Sequence, residues 1–166
     1  MNEEEYVAGE TEAILERARA AGVEQIIVVG GAGDMSSNTA AVALADSFPS
    51  VYATVGMHPH DAKDVGAEEL ARLKELAVHP KVIAVGETGL DYYRRQGDLE
   101  WQRRRFRVHV AAARQASKPL VVHTRAAAGD TLAIMRDEGA RDVGGVMHCF
   151  TESWEVARAA LDLGFH

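Results

Sequence analysis

Cysteine is almost missing from this 166-residue chain, because Cys149 is the only one. A lone cysteine excludes an intramolecular disulfide and is typical of a reducing compartment. Hydrophobic runs are short, and none approaches the roughly 20 apolar residues of a membrane-spanning helix. The acidic start, MNEEEY, also lacks the positive charge that opens a secretory signal peptide. These absences predict a cytoplasmic protein with no membrane partner.

The chain has no excess of basic residues, and its formal net charge is -7. This charge argues against a broad basic surface for non-specific nucleic-acid binding. A phosphate-containing substrate remains compatible, because a metal ion and a few local arginines can supply positive charge inside one pocket. Arginines do cluster in one region, at Arg94, Arg95, Arg103, Arg104, Arg105 and Arg107. We interpret most of them as the solvated face of a helix.

Apolar, β-branched runs alternate with segments of helical periodicity, which is the pattern of βα units around a parallel sheet. Each run is continuously apolar, as expected for a strand that is covered on both faces. Ser36 or Ser37 is expected to cap the second helix, and Asp98 the fourth. No linker interrupts the pattern, which predicts one domain over residues 1–166. The predicted strands are residues 25–29, 51–55, 82–85, 119–122 and 145–147.

Successive strands begin roughly 30 residues apart, the size of one βα repeat. A closed eight-stranded barrel typically needs roughly 250 residues, so the chain is either a five-stranded open α/β sheet or part of a barrel. Its ends favour the second interpretation, because it opens into a helix and stops at LDLGFH, where another strand would begin. We therefore predict an α/β fold, a partial TIM-type (βα)8 barrel with about five βα units, without the first strand and the last two strands.

Three predicted strands deliver a metal-competent side chain where they end. Glu87 follows KVIAVG, His123 follows KPLVV and His148 follows GGVM. Taken singly, Glu87 could instead cap a helix or pair with an arginine, and a lone histidine is more often a hydrogen-bonded core residue. The repetition favours one shared site, because active sites of parallel β/α folds collect at the carboxyl ends of the strands. Mixed carboxylate and imidazole ligands predict a divalent metal ion.

Other candidates stand close to these ligands in the sequence. His58 and His60 flank Pro59, so both imidazoles can face one pocket and contact a substrate phosphate, or bind metal less directly. The alternative is a proline turn with two surface histidines. Arg125 can contact an anionic substrate through two hydrogen bonds, or it can pair with a neighbouring carboxylate.

Four residues near the candidate ligands are predicted to have no direct chemical role. Asp91 is predicted to be structural, and Cys149 is predicted to be a small buried hydrophobe. Gly86 and Gly89 flank Glu87 closely, and they are expected to let the backbone turn around a ligand.

Several motifs make the chain recognisable, and together they cover nearly all of it. They are VGMHPHDA, KVIAVGETGLDYY, the Gln102 and Phe106 of WQRRRF, KPLVVHTRAA, DTLAIM and GVMHCFTES. In this order they closely resemble the TatD family of metal-dependent deoxyribonucleases, which belong to the amidohydrolase-like barrel enzymes. The resemblance implies a (βα)8 barrel that hydrolyses phosphodiester bonds, with DNA as the substrate and 3′ to 5′ exonuclease action in many members.

The resemblance also implies roles for individual residues. By motif position, Glu87, His123 and His148 bind one or two divalent ions, and the substrate contacts are His58, His60 and Arg125. Imidazole and carboxylate ligands suit Zn or Mn, whereas Mg relies more on carboxylate, water and phosphate.

The chain departs from the family pattern in three places. Family members usually begin with a strand that ends in an H-x-H pair, and this pair is not found ahead of the first helix. Their last strand ends in a metal-binding Asp, in a region that lies beyond His166. Ala126 stands where an acidic residue is usual, which leaves Arg125 without that local partner. We therefore expect weak metal binding and little nuclease activity from these 166 residues.

Two other functions are compatible with the sequence. One is an amidohydrolase-like enzyme that cleaves a C–N or C–O bond. The other is a catalytically incompetent fragment that assembles with another chain, because an open barrel leaves strand edges that favour self-association.

Overall fold

A computed structural model describes residues 10–61, 66–94 and 97–166 of the chain, so Arg95 lies outside the described residues. The strands are β1 (Ile26–Val29), β2 (Val51–Val55), β3 (Val82–Asp91), β4 (Leu120–Arg125) and β5 (Gly145–Met147). The helices are α1 (Glu10–Ala20), α2 (Met35–Ser47), α3 (Ala67–Ala77), α4 (Glu100–Ala116), α5 (Ala128–Asp137) and α6 (Trp154–Leu161). Within these ranges no helix is both long enough and apolar enough to cross a membrane.

The five strands form one parallel sheet in the order β1-β2-β3-β4-β5. Each strand pairs with its neighbour in sequence, and a helix makes each connection. This is the arrangement of consecutive βα units in a barrel wall, and it confirms the predicted strands. After α6 the chain returns to the sheet, where Phe165 pairs in parallel with Gly145. The residues that follow α6 therefore begin to add to the sheet beside β5, at the position where the sequence predicts another strand.

The core lies between the sheet and the helices that cover it. Val55, Val85 and Val122 are fully buried on the central strands, and Phe106 and Val110 of α4 pack in the same cluster. Because neighbouring helices and strands cover these strands, their sequences are continuously apolar rather than alternating. The buried sheet holds the loops at its carboxyl side in place.

Strands β3 and β4 are longer than the sequence predicts. They extend to Asp91 and Arg125, because the ladder continues with Gly89 opposite His123 and Asp91 opposite Arg125. A Cβ atom on Gly89 would overlap the carbonyl oxygen of His123, and one on Gly86 would lie 2.5 Å from the carbonyl oxygen of Val121. The two glycines therefore allow β4 to approach β3 closely. The expectation that they let the backbone turn around a ligand stays a prediction.

The start of α2 also differs from the prediction. Asp34 is the N-cap residue, and its Oδ1 accepts a hydrogen bond from the backbone N–H of Ser36 at 2.8 Å. Ser36 and Ser37 are not caps, because the helix begins at Met35 and both serines already lie in its first turn. Asp98 is not the N-cap residue of α4 either, because that position is held by Leu99, but its Oδ1 accepts the N–H of Glu100 at 2.9 Å where α4 begins.

Candidate metal and substrate site

Six ionisable side chains gather at the carboxyl side of the sheet. Strand β3 contributes two carboxylates, β4 contributes one imidazole, and the segments after β2 and β5 contribute the others. Three of the imidazole rings lie with their centroids 4.5 to 5.5 Å apart. The group consists of His58, His60, Glu87, Asp91, His123 and His148.

Glu87 is the centre of the first half of this group. Its Oε1 atom lies 2.9 Å from Nδ1 of His148, 3.5 Å from Nδ1 of His123 and 4.0 Å from Nε2 of His58. Ligand atoms around a tetrahedral ion at about 2.1 Å are separated by roughly 3.4 Å. The spacing of Glu87 and His123 matches this value, so these two residues fit the coordination of a divalent ion.

Hydrogen bonding keeps Glu87 ionised. Burial raises the pKa of this carboxyl group, but hydrogen bonds from His123 and His148 outweigh burial and lower it to about 2. Glu87 is consequently a carboxylate across the neutral pH range. An anionic oxygen beside imidazole nitrogens is the type of donor set that Zn and Mn accept.

Asp91 is the centre of the second half. Its side chain is fully buried, and Oδ2 lies 2.5 Å from Nε2 of His60 and 3.0 Å from Nε2 of His123. Its Oδ1 accepts the backbone N–H of Arg94 at 2.9 Å. Burial raises the pKa of Asp91, but the Arg94 N–H and the two imidazoles outweigh burial and lower it to about 2. The sequence predicts a structural role for Asp91, and no local pattern indicates these contacts with the site.

His123 connects the two halves of the group. When Nε2 donates its proton to Asp91, Nδ1 carries the lone pair that faces Glu87. A carboxylate that accepts the other N–H of a metal-binding histidine orients the ring in the same way in many metal sites. Burial lowers the pKa of His123, but hydrogen bonds to Glu87 and Asp91 outweigh burial and raise it above its usual value. A metal ion at Nδ1 would compete with a proton for the same lone pair.

His58 has a different environment. Its Nδ1 accepts the backbone N–H of His60 at 3.2 Å, so in the neutral ring the proton is on Nε2. Burial lowers the pKa of His58 to about 4, even though Glu87 raises it, and the ring is neutral at pH 7. Although His58, Glu87 and His123 form a compact donor group, the Nε2–H of His58 is suited to donate to an oxygen atom rather than to bind a metal ion.

His148 follows β5, as predicted, and its side chain is 43% exposed. It touches Glu87 but lies outside the two compact groups of donors, which are His58, Glu87 and His123, and His60, Asp91 and His123. The prediction for the next residue is wrong, since Cys149 is exposed. The strand ends at Met147, and Cys149 has a positive φ of 47°, so the chain leaves the sheet before this side chain can enter the core.

Arg125 closes β4 beside the site. Its guanidinium carbon lies 3.9 Å from the centroid of the Tyr93 ring, a stacking geometry that favours a cation. No ion pair or hydrogen bond joins its side chain to any residue in the described ranges. The alternative of a salt bridge to a neighbouring carboxylate therefore finds no support there.

Two buried amide side chains support the backbone of the site. Gln102 on α4 accepts the N–H of Asp91 at 2.9 Å and donates to its carbonyl oxygen at 3.2 Å. Asn38 on α2 makes the same pair of bonds with Gly56, at 2.8 and 2.9 Å. Neither role is predicted from the sequence, in which Gln102 stands out only as part of a motif. Gln102 and the buried Phe106 are one helical turn apart, and this spacing indicates that Gln102 lies on the inner face of α4.

Comparison with curated proteins identifies similar metal-dependent hydrolases. The chain is 42% identical over 166 residues to the uncharacterized metal-dependent hydrolase YabD of Bacillus subtilis, covering all of this chain and 64% of YabD. It is 35% identical over 160 residues to the 3′-5′ ssDNA/RNA exonuclease TatD of Edwardsiella piscicida, covering 96% of this chain and 61% of that protein. The chain thus spans about six tenths of the length of these relatives.

Solved structures show the same architecture. The TatD homologue YJJV from Escherichia coli K12 matches with a TM-score of 0.82 and 29% identity, over 95% of this chain and 61% of YJJV. A TatD family hydrolase from Entamoeba histolytica also has a TM-score of 0.82, with 26% identity over 96% of this chain and 56% of that protein. These matches confirm the predicted partial barrel. The family model for TatD related DNase matches residues 1–166, and the chain belongs to this family.

Proposed function

We propose that this chain carries the central part of a site for metal-dependent phosphodiester hydrolysis, as in a TatD-like 3′ to 5′ deoxyribonuclease. The observation that carries the proposal is the position of Glu87, whose Oε1 lies within 3.5 Å of imidazole nitrogens of His123 and His148. The orientation of His123 by the buried Asp91 supports it. The family of the chain supports the same class of reaction.

Glu87, His123 and His148 are the proposed ligands for one or two divalent ions, which could be Zn, Mn or Mg. A bound ion would polarise a phosphoryl oxygen and lower the pKa of a water molecule. Glu87 offers a permanent negative charge, because its pKa is about 2. Asp91 holds the His123 ring so that Nδ1, rather than Nε2, faces Glu87. The side chains of Glu87 and His123 are each only 15% exposed, which limits competing water.

His58, His60 and Arg125 are the proposed substrate contacts. The neutral His58 ring can donate its Nε2–H to a phosphate oxygen. The guanidinium of Arg125 can bind two phosphate oxygens at once while its face packs on Tyr93. His60 remains fixed to Asp91 and thereby limits the motion of the loop that also carries His58.

The proposed substrate is single-stranded DNA, because a relative is named a 3′-5′ ssDNA/RNA exonuclease. The net charge of -7 does not favour binding of nucleic acid along a broad surface. It is compatible with a pocket that binds phosphate through a few local charges. A cytoplasmic location stays a prediction from the sequence.

The test combines metal binding with a nuclease assay on the 166-residue chain. We expect calorimetry to detect Mn²⁺ binding, and we expect slow shortening of a 5′-labelled single-stranded oligonucleotide that needs Mn²⁺. Glu87→Gln removes the central carboxylate and should abolish both. Glu75→Gln, at an exposed position of α3, is the matched control and should behave like the wild type.

Other outcomes would contradict the proposal in different ways. Shortening that persists in Glu87→Gln would show that the nuclease activity does not come from this site. Mn²⁺ binding without hydrolysis of any nucleic acid, together with cleavage of amides or lactones, would favour another amidohydrolase-like reaction. Binding of Mn²⁺ without any turnover would favour a fragment that needs another chain.

A further inference from the structure

Arg105 is a buried cation on α4, under the loop that carries His58 and His60. It is only 5% exposed, and its guanidinium carbon lies 4.9 Å from the centroid of the Trp101 ring. Burial lowers the pKa of Arg105 to about 10, so the residue is still charged at neutral pH. The sequence predicts a solvated helix face for most of the clustered arginines, among which Arg105 stands. The structure corrects this for Arg105, because the residue lies on the same inner face as Gln102.

The guanidinium of Arg105 holds the loop of residues 58–61 at two points. Nη1 donates to the carbonyl oxygen of Asp61 at 2.7 Å, and Nη2 donates to the carbonyl oxygen of His58 at 2.8 Å. On another side of the loop, the N–H of Gly33 donates to the carboxylate of Asp61 at 3.0 Å. A planar guanidinium presents its N–H donors in a rigid fork, whereas the ammonium of a lysine sits on a flexible stem and imposes no such fixed geometry on its acceptors.

Helix α4 contacts both halves of the candidate site through this face. Arg105 binds the loop that carries His58 and His60, and Gln102 binds the backbone of Asp91. The contact of 2.5 Å between His60 and Asp91 joins these two supported segments. A change in how α4 holds the loop therefore moves the two imidazoles relative to the carboxylates.

We propose that Arg105 is a positioning residue that sets His58 and His60 against Glu87 and Asp91. Within the described residues its guanidinium donates to backbone carbonyl groups of the loop, so it acts on the substrate through the position of that loop. The consequence for phosphate binding rests on the proposed function, whereas the placement of the two imidazoles does not.

The experiment compares the wild type with Arg105→Lys and with Arg104→Lys, a control at an exposed position of the same helix. NMR spectra of the imidazole groups report the environment of each histidine without any substrate. We expect the signals of His58 and His60 to move in Arg105→Lys, while the signal of His79, which lies after α3, stays in place. The affinity for a phosphorothioate oligonucleotide in Mn²⁺ should fall about tenfold or more, because small misplacements of contact groups are costly. Arg104→Lys should match the wild type in both measurements.

Unchanged signals of His58 and His60 in folded Arg105→Lys would contradict the positioning role. Moved signals with no oligonucleotide binding even in the wild type would support the positioning role and contradict the proposed function. If Arg105→Lys does not fold, the guanidinium signals of the wild type decide the question. Two fixed acceptors should give separate Nη signals for Arg105 and averaged signals for Arg104, and averaged signals for Arg105 would count against the proposal.

Discussion

At the scale of single residues, Asp91 shows how one buried carboxylate can organise a candidate metal site without itself binding the ion. One of its oxygens accepts from His60 and His123, and the other accepts the N–H of Arg94. All of these donors thus face an ionised carboxylate, and hydrogen bonds to a charged acceptor are stronger than those between neutral groups. In the proposed function, Asp91 acts through the orientation of His123.

Asp91→Asn is expected to weaken Mn²⁺ binding about 10- to 100-fold, the usual effect of losing a partner of a metal-binding histidine. The amide has one acceptor oxygen in place of two, so the Arg94 N–H and the two imidazoles can no longer all donate to this side chain, and His123 loses its anionic partner. Calorimetric titration with Mn²⁺ measures the change. Asp98→Asn, in an exposed turn before α4, should keep the wild-type affinity. An unchanged affinity in Asp91→Asn would return this residue to a purely structural role.

At the scale of elements, α4 combines a packing face with polar side chains that point inward. Gln102, Arg105, Phe106, His109 and Val110 are all buried and follow the spacing of one helical face. Among them, His109 is fully buried, and its Nδ1 donates to the carbonyl oxygen of Arg105 at 2.8 Å. No partner within the described residues reaches its Nε2. Protonation would thus leave a charge in the core.

Burial lowers the pKa of His109 to about 4, which makes stability depend on pH. Because an exposed histidine in the unfolded chain titrates near 6.5, the unfolded state binds a proton first as the pH falls. The free energy of unfolding should therefore fall between about pH 6.5 and pH 4, by about 1.4 kcal/mol per pH unit at most from this residue. Below this window the folded state is protonated too, and this dependence ends.

His109→Asn is the variant that tests this dependence, since its amide can still donate to the carbonyl oxygen of Arg105 but does not titrate. Urea unfolding at several pH values should show the wild type losing more stability than the variant between pH 6.5 and 4. Parallel curves for the two proteins over this range would show that His109 does not cause the dependence.

Strand lengths show what local pattern could and could not predict. The apolar runs predict where β2 and β3 begin, because burial of β-branched residues is a local property of the sequence. The extension of β3 to Asp91 and of β4 to Arg125 depends instead on pairing between the two strands. Glu87 and His123 consequently lie within paired strands, whereas His148 follows its strand as predicted.

At the scale of the whole molecule, the described part of the sheet is open, with β1 at one edge. Ile27 and Val29 on this strand are 53% and 48% exposed, and they point to the same face because strand side chains alternate. An apolar strand edge without a neighbour is a template for pairing with another chain.

We expect the purified chain to self-associate through β1. The Ile27→Lys, Val29→Lys double variant should shift the protein towards the monomer, because charges on an edge strand oppose pairing. Analytical ultracentrifugation over a range of concentrations measures the shift. Val78→Lys, at an exposed apolar position after α3, is the control and should leave the association unchanged. A monomeric wild type at all concentrations would contradict the expectation.

The sequence by itself determined the order of strands and helices and the chemical types of the candidate donors. Both are local properties, set by the spacing of apolar residues and by the side chains at particular positions. Only the tertiary structure decided that Asp91 joins the site and that Arg105 is buried, because these contacts link residues 32 and 44 positions apart. Such contacts depend on the register of the sheet and on how α4 packs against it, and neither leaves a local pattern in the chain.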